Sequence, residues 1–313
     1  MSRLNTLKRI LTDRDYRIVR LAKAGFYNHL DDKTYLKKVY RAKMGRPLNL
    51  EDPKLFSEKL QWLKLYDRNP MYTRLVDKYQ VREYIAEKLG EEYLIPLLGT
   101  WDDPDEIDFD ALPDQFVLKC NHNSGTGMCI CRDKSKLNYD QVRKDLRKGL
   151  RENHYLKHRE WPYKDVPRRI IAEAYMSETS ETDRGLDDFR VYCFNGEPKL
   201  VYMYQSGTLS SGNRPNTVSC DIFDVTWQHL PVRQKTANAF VEPLPPTGLR
   251  EMLEISRQLS EGYPFLRVDF YEINGRVYIG ELTMYPGGGF SPFYPSEWDH
   301  KLGTWMTLPK SGQ

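Results

Sequence analysis

The sequence has no long apolar run. Of its 313 residues 29% are charged and the mean hydropathy is −0.68, far from the ~18 consecutive apolar residues that a membrane-spanning helix needs. Cysteine is scarce and odd in number, with five in all and three crowded at Cys120, Cys129 and Cys131. That excludes a disulfide framework in a chain this large, and Cys-x-Cys is not the Cys-x-x-Cys spacing of zinc sites. The N-terminus, MSRLNTLKRILTDRDYR, interrupts every apolar stretch with a charge. It lacks the pattern of an export signal, and a cytoplasmic location is expected. There is no internal repeat and no Gly-Lys-Ser/Thr phosphate loop.

Net charge is also nearly absent, at +3, but it is unevenly spread. Residues 1–70 hold 17 Lys/Arg against 8 Asp/Glu, whereas residues 71–313 hold 30 against 36. A basic front end on a mildly acidic body suits an anionic partner, whether nucleic acid, membrane surface or acidic polymer, or is simply a solvated helical surface.

Apolar residues from Asn5 to Lys43 recur at three- and four-residue intervals, which is helical spacing. A second helix is expected from Leu55 to a stop at Asn69-Pro70 and a third over Met71–Leu89, ending at Gly90. From Tyr93 the pattern shifts towards strands: Tyr93–Gly99, Phe116–Cys120, Met128–Cys131 and Ile170–Met176. A charged helix is expected over Tyr139–Asn153 and an amphipathic one over Thr247–Leu259. Two hairpins turn on Asn195-Gly196 and Asn274-Gly275.

The last hairpin carries the most chemistry. Its strands read Leu266-Arg267-Val268-Asp269-Phe270 and Tyr278-Ile279-Gly280-Glu281-Leu282-Thr283, with charges alternating among core residues. A two-residue turn pairs Asp269 with Gly280 and sets the two carboxylates on opposite faces; a three-residue loop ending at Arg276 pairs Asp269 with Glu281. The second is expected, because it gathers the polar residues on one face. Two facing carboxylates beside an arginine suit Mg²⁺ bridged to nucleotide phosphates; the bland alternative is an Arg267–Glu281 ion pair on a solvated face. Gly287-Gly288-Gly289 follows, and three successive glycines let a substrate approach the backbone at an entropic cost with no evident structural return. The second element is Lys119 with Ser124-Gly125-Thr126-Gly127, where loop N–H groups and a lysine can converge on phosphate oxygens.

Taken in order, these pieces resemble the ATP-grasp superfamily, and more closely its TupA-like branch, amide-forming enzymes of teichuronopeptide and polysaccharide decoration. The resemblance runs through Leu55-Phe56-Ser57-Glu58-Lys59-Leu60-Gln61-Trp62-Leu63-Lys64, Asp77-Lys78-Tyr79-Gln80-Val81-Arg82, the Lys119 loop and Asp188-Phe189-Arg190-Val191. It ends with Arg267-Val268-Asp269, Gly280-Glu281-Leu282 and the glycine run. It implies an α+β fold of two lobes with antiparallel sheets clasping ATP, preceded by an α-helical segment. The expected division is 1–70 for that basic segment and 71–313 for the catalytic region, with lobes of about 71–175 and 176–313.

It further implies that Lys78 and Lys119 reach the ATP phosphates under the Ser124–Gly127 loop. Glu173 and the backbone of Ala174 and Met176 would face adenine, and Asp188 the ribose. Arg267 would stabilise the transferring phosphoryl group, and Asp269 and Glu281 would ligate magnesium. Thr283 stands where the wider superfamily has an asparagine as third ligand. The implied activity is ATP- and Mg²⁺-dependent amide formation between a carboxylate and an amine through an acyl phosphate. One partner would be a cell-surface polysaccharide or its precursor, and the basic front end would meet that polymer or the inner membrane face. Residues 206–219, rich in Ser, Gly and Asn, are the expected lid, and Trp298 and His300 are candidates for the acceptor side. Two other readings are a phosphotransferase on the same fold and a nucleic-acid-binding protein built on residues 1–70, for which no recognition motif is present.

Overall fold

The helical spacing of the first third becomes a series of short, capped helices. In the computed structural model, which describes residues 9–177, 185–206 and 217–310, α1 (Arg14–Lys23) opens on Asp13 and α2 (Asp32–Met44) on Asp31. Each carboxylate accepts a hydrogen bond from a backbone N–H three residues on, at 2.9 Å. Helix α2 closes on Gly45 in the left-handed conformation, φ 71°. At the start of α3 (Phe56–Tyr66), Glu58 reaches back to accept from the Lys54 and Leu55 N–H groups, both at 3.1 Å.

The single helix expected over Met71–Leu89 is two, α4 (Met71–Val76) and α5 (Gln80–Leu89). Asp77, buried at the break, accepts from Asn121 Nδ2 and from the Tyr79 N–H, both at 2.8 Å, and the Lys78 N–H donates to the Asn121 carbonyl at 3.2 Å. Bonds to a neighbouring loop replace the helix ladder there, and the break turns Lys78 out of helical register. Helix α5 does end at Gly90, φ 111°.

Four antiparallel strands form the first sheet: β1 (Leu97–Trp101), β2 (Phe116–Cys120), β3 (Met128–Cys131) and β4 (Ile170–Ala174), in the order β1-β4-β2-β3. The strand expected from Tyr93 starts later, since residues 91–93 form a 3-10 turn and Leu94 makes only an isolated bridge to Ile279. Helix α6 (Tyr139–Leu150) seals this sheet with Val142 and Leu146, packed with Phe116, Leu118 and Ile170. One-turn α7 (Tyr155–His158) follows.

The second sheet holds β5 (Asp188–Phe194), β6 (Glu197–Ser206), β7 (Thr217–Asp224), β8 (Phe265–Ile273) and β9 (Arg276–Thr283), in the order β7-β6-β5-β8-β9, all antiparallel. Helix α8 (Leu249–Ser260) covers it with Met252, Ile255 and Leu259, and α9 (Glu297–Trp305) anchors α3: Ser57 donates to Asp299 from its N–H at 2.8 Å and its hydroxyl at 2.6 Å. Tyr35, Leu36 and Val39 of α2, Leu60 and Leu63 of α3 and Ile85 of α5 share one core with Val191, Tyr202 and Phe265. At about 1.5–3 kcal/mol for each fully buried side chain, that shared core binds the N-terminal helices to the far end of the chain. Among the described residues no helix is long and apolar enough to cross a membrane.

Candidate active site

The last hairpin turns on two residues, Asn274 (φ 52°) and Gly275 (φ 74°), both left-handed as a tight mirror-image turn requires. The three-residue loop expected from the sequence is therefore not formed. Near the turn Ile273 pairs with Arg276 and Phe270 with Ile279, the register that separates the carboxylates. The ladder then slips, so that Asp269 faces Glu281, Val268 faces Leu282 and Arg267 faces Thr283. Gly280 is the extra residue of this bulge. The two carboxylates do oppose each other, but a bulge and not the loop brings them together. A Cβ on Gly280 would lie 2.8 Å from the Tyr271 ring. Gly280→Val is therefore expected to cost about 1–3 kcal/mol, read as a lower midpoint in a urea melt; an unchanged midpoint would contradict this account.

Alternation along the strands gathers Asp188 and Arg190 of β5, Arg267 and Asp269 of β8 and Glu281 and Thr283 of β9 on one face, in the rungs Arg190–Asp269–Glu281 and Tyr192–Arg267–Thr283. Arg267 grips Asp269 with two bonds, from Nε and Nη2, each 2.5 Å, and its Nη2 lies 3.8 Å from Glu281 Oε1. Thr283 donates its hydroxyl proton to Glu281 Oε1 at 2.8 Å, leaving its own lone pairs free to accept. Arg190 donates to Asp188 Oδ2 at 2.9 and 2.6 Å, sits 3.7 Å from Asp269 and stacks 4.1 Å above the Tyr204 ring. Asp188 Oδ1 is buried with no hydrogen-bond partner among the described residues.

These contacts divide the carboxylates. Burial pushes Asp269 up to about 6 in spite of its arginines. Burial pushes Glu281 the same way, but Lys78 and Arg267 outweigh it and hold the group down at about 2.

Across the cleft, β2 of the first sheet, helix α5 and the break before it contribute cations. Lys119 Nζ lies 2.5 Å from Glu173 Oε2, and Arg82 reaches the other oxygen of Glu173 at 3.4 Å while donating to the Ile95 carbonyl at 2.7 Å. Lys78, its pKa lowered by burial, donates to the Asn123 carbonyl at 2.8 Å and stands 4.0 Å from Glu281 Oε2. Lys78, Lys119, Glu173 and Glu281 thus line one cleft between the sheets, whose apolar walls are Val81, Ile85, Leu94, Ile279 and Leu282.

Other expected residues sit differently. Ser124 and Gly125 are exposed at the loop tip and Thr126 is half-buried, whereas Gly127 is buried where a Cβ would lie 2.8 Å from Gly149 Cα. Gly127 thus serves packing against α6. The Ala174 N–H is spent on the Pro96 carbonyl at 2.9 Å, and Met176 lies half-buried just beyond β4. Trp298 is buried in the core with Lys301 over its ring at 4.0 Å, and neither it nor the exposed His300 lines the cavity beside Arg267. The expected lid, 206–219, joins β6 to β7, and its central part lies outside the described residues.

The glycine run has the structural return that its sequence conceals. Gly287, Gly288 and Gly289 adopt φ of 58°, 65° and 68°, a region costly for any residue with a Cβ. Gln61 Nε2 donates to the Gly288 and Gly289 carbonyls at 3.1 and 2.9 Å. The fully buried Lys64 donates to the carbonyls of Gly288 (2.6 Å) and His158 (2.8 Å) and to Gln61 Oε1 (2.9 Å). Helix α3 therefore holds the loop in place. Beside it a cavity of about 150 Å³ opens onto Arg190, Arg267, Tyr204, Gly287 and Gly289.

Arg82 and Arg190 were not singled out from the sequence, although both stand inside quoted motifs, Asp77–Arg82 and Asp188–Val191; Arg190 had a local signal in Asp188 two residues before it on the same strand, whereas Glu173, the partner of Arg82, lies on β4 and is brought to it only by the fold.

Two antiparallel sheets facing each other across a cleft of lysines, arginines and opposed carboxylates make this an ATP-grasp fold of the α+β class, carrying a helical N-terminal segment. The chain belongs to the TupA-like ATPgrasp family, whose sequence pattern matches residues 58–307. Among solved structures, D-alanine–D-alanine ligase from Bacillus anthracis in complex with ATP is similar at 14% identity and a TM-score of 0.39, over 68% of this chain and 57% of that one. The corresponding ligase from Helicobacter pylori gives 14%, 0.42, 81% and 69%, and an L-amino acid ligase from Bacillus licheniformis gives 13%, 0.40, 92% and 56%. The chain thus spans little more than half the length of the first and third of these. No curated protein matches it significantly.

Proposed function

We propose that the chain is an ATP- and Mg²⁺-dependent carboxylate–amine ligase. The observation that carries this reading is the rung Arg190–Asp269–Glu281 with Arg267 beside it, set across a narrow cleft from Lys78 and Lys119. Alternating cations and carboxylates at this spacing match a nucleotide triphosphate with its metal. The donors fit magnesium, since Asp269, Glu281 and Thr283 offer only hard oxygens. Among the described residues no three His, Cys, Asp or Glu are grouped to hold a metal. Bound there, Mg²⁺ would neutralise charge on the phosphates.

In this reading Lys78, Lys119 and the 124–127 loop hold the phosphates, and the free Asp188 Oδ1 accepts from a ribose hydroxyl. Glu173 and the chain at Ala174 and Met176 border the base. Arg267 aims charge at the transferring phosphoryl group. A carboxylate oxygen of the substrate attacks the γ-phosphorus, the bond to the β-phosphate oxygen breaks and ADP leaves. The amine nitrogen then attacks the acyl carbon, the carbon–oxygen bond to phosphate breaks, and inorganic phosphate departs as nitrogen loses a proton. The cavity beside Arg267 is the acid's place in this scheme. On the strength of the family, we extend the reading to a cell-surface polysaccharide or its precursor as one partner, with the basic front end meeting that polymer or the inner membrane face.

Hydroxylamine tests the scheme. With ATP, Mg²⁺ and a panel of uronic and amino acids, an acyl phosphate is trapped as a hydroxamate with stoichiometric ADP. ATP binding without hydroxamate, together with a phosphorylated product, would instead assign a phosphotransferase.

A further inference from the structure

A second cavity, of about 630 Å³, lies between the α1–α2 hairpin and the segment around α7, and it shares no lining residue with the cleft or the cavity beside Arg267. Two independent features mark it. Helix α1 buries none of its residues completely; Ala22 packs against the core while Val19 stands half-exposed, and both line the cavity together with Val39 and Leu156. An amphipathic helix normally spends more of such a face on packing. Lys43, on the same wall, has no carboxylate within 4.0 Å among the described residues. Its nearest partners are His158 Nε2 at 3.5 Å and the Phe290 ring at 4.7 Å, and burial lowers its pKa. The neighbouring charges are already committed, Lys157 to Glu152 at 2.6 Å and His158 to Glu160 at 3.4 Å, while Lys23 is exposed. The carboxylate that acts on Lys43 is Glu160, which is already paired with His158; a partly desolvated ammonium so weakly countered, beside the apolar Val19, Ala22, Val39 and Leu156, is complementary to an anion that carries a hydrocarbon chain.

We propose that this cavity binds a single-chain anionic amphiphile, its headgroup on Lys43 and its chain along Val19, Ala22 and Leu156. The site goes beyond the ligase reading and does not depend on it. Its wall does abut the catalytic side, because the His158 ring fills the space where a Cβ on Gly288 would lie, 2.5 Å away.

Titration calorimetry on the full chain tests this with decyl phosphate below its micellar concentration, against decanol and inorganic phosphate. Decyl phosphate is expected to saturate one site, with each half-molecule at least about tenfold weaker. Lys43→Gln should weaken it about tenfold and Ala22→Trp, which fills the space, should abolish it, both variants keeping wild-type ATP affinity. Vesicles containing phosphatidylglycerol separate the sources. Vesicle binding that depends on Lys43 and Ala22 assigns a bilayer lipid; vesicle binding indifferent to them, with decyl phosphate still bound in the cavity, assigns a free amphiphile. Absence of saturable decyl phosphate binding, or binding that survives in both variants, overturns the proposal. Lys43→Gln on its own decides the matter should Ala22→Trp fold poorly.

Discussion

Glu281→Gln is expected to lower ATP-dependent turnover by about 10²–10³-fold, the scale on which one aimed electrostatic group acts, while leaving the chain folded. Glu281 is the carboxylate held ionised at about 2 by Lys78 and Arg267, and its oxygens meet only a threonine hydroxyl at 2.8 Å and distant cations. The amide keeps the shape and the Thr283 bond but removes the negative charge. Asp269→Asn should abolish turnover to a similar degree with an added cost in stability. Its carboxylate takes two 2.5 Å bonds from the buried Arg267, and stranding a buried cation typically costs about 3–5 kcal/mol. Glu281→Gln is therefore the cleaner probe of the proposed metal role, and wild-type turnover in that variant would end it.

The same residue gives a pH signature. Its folded pKa lies below the ordinary value of 4.5, so the unfolded chain binds its proton first on acidification. Glu281 contributes its full stabilisation above about 4.5 and loses it progressively as the pH falls towards about 2. Acid titration of stability should accordingly be shallower over that window in Glu281→Gln than in the wild type, and identical slopes would show that Lys78 and Arg267 do not hold the group as described.

What could be read from the sequence follows from where each fact is stored. The facing of Asp269 and Glu281 was legible because alternation along a strand is written in the chain. The reason for it was not, because the bulge at Gly280 depends on a Tyr271 ring occupying the place of the missing side chain. Lys78 was legible through its motif, yet the break that frees it is made by Asn121, forty-three residues on and packed there only by the fold. The periodicity of Tyr35–Leu63 announced helices without saying that their core is the second sheet. The glycine run shows the same limit. Its composition suggested an open backbone, whereas three left-handed residues clasped by Gln61 and Lys64 make it a fixed one.

Gly288→Ala is accordingly expected to be among the most damaging single substitutions in the chain. At φ 65° an added Cβ costs about 1–2 kcal/mol in backbone strain alone, and here it also strikes the His158 ring at 2.5 Å. That ring cannot easily give way, since His158 is held between Glu160 and Lys43 and its carbonyl is tied to Lys64. A loss of about 3–5 kcal/mol in total is expected from strain and overpacking together, measured by urea unfolding. Catalysis should suffer more selectively than stability. The loop borders the cavity beside Arg267 and not the cleft lined by Lys78 and Lys119; with the acid and ATP assigned to these two places as proposed, ATP affinity should remain near wild type while kcat/KM for the acid falls by at least about tenfold. Lys64→Met separates the two effects. It removes the ammonium that fixes the Gly288 carbonyl while leaving the glycine conformation chemically allowed, so it should reproduce the loss in kcat/KM for the acid without the strain. A Lys64→Met enzyme with an unaltered KM and kcat for the acid would mean that the clasp serves the fold alone and that the loop's position is set by Gln61 and the backbone.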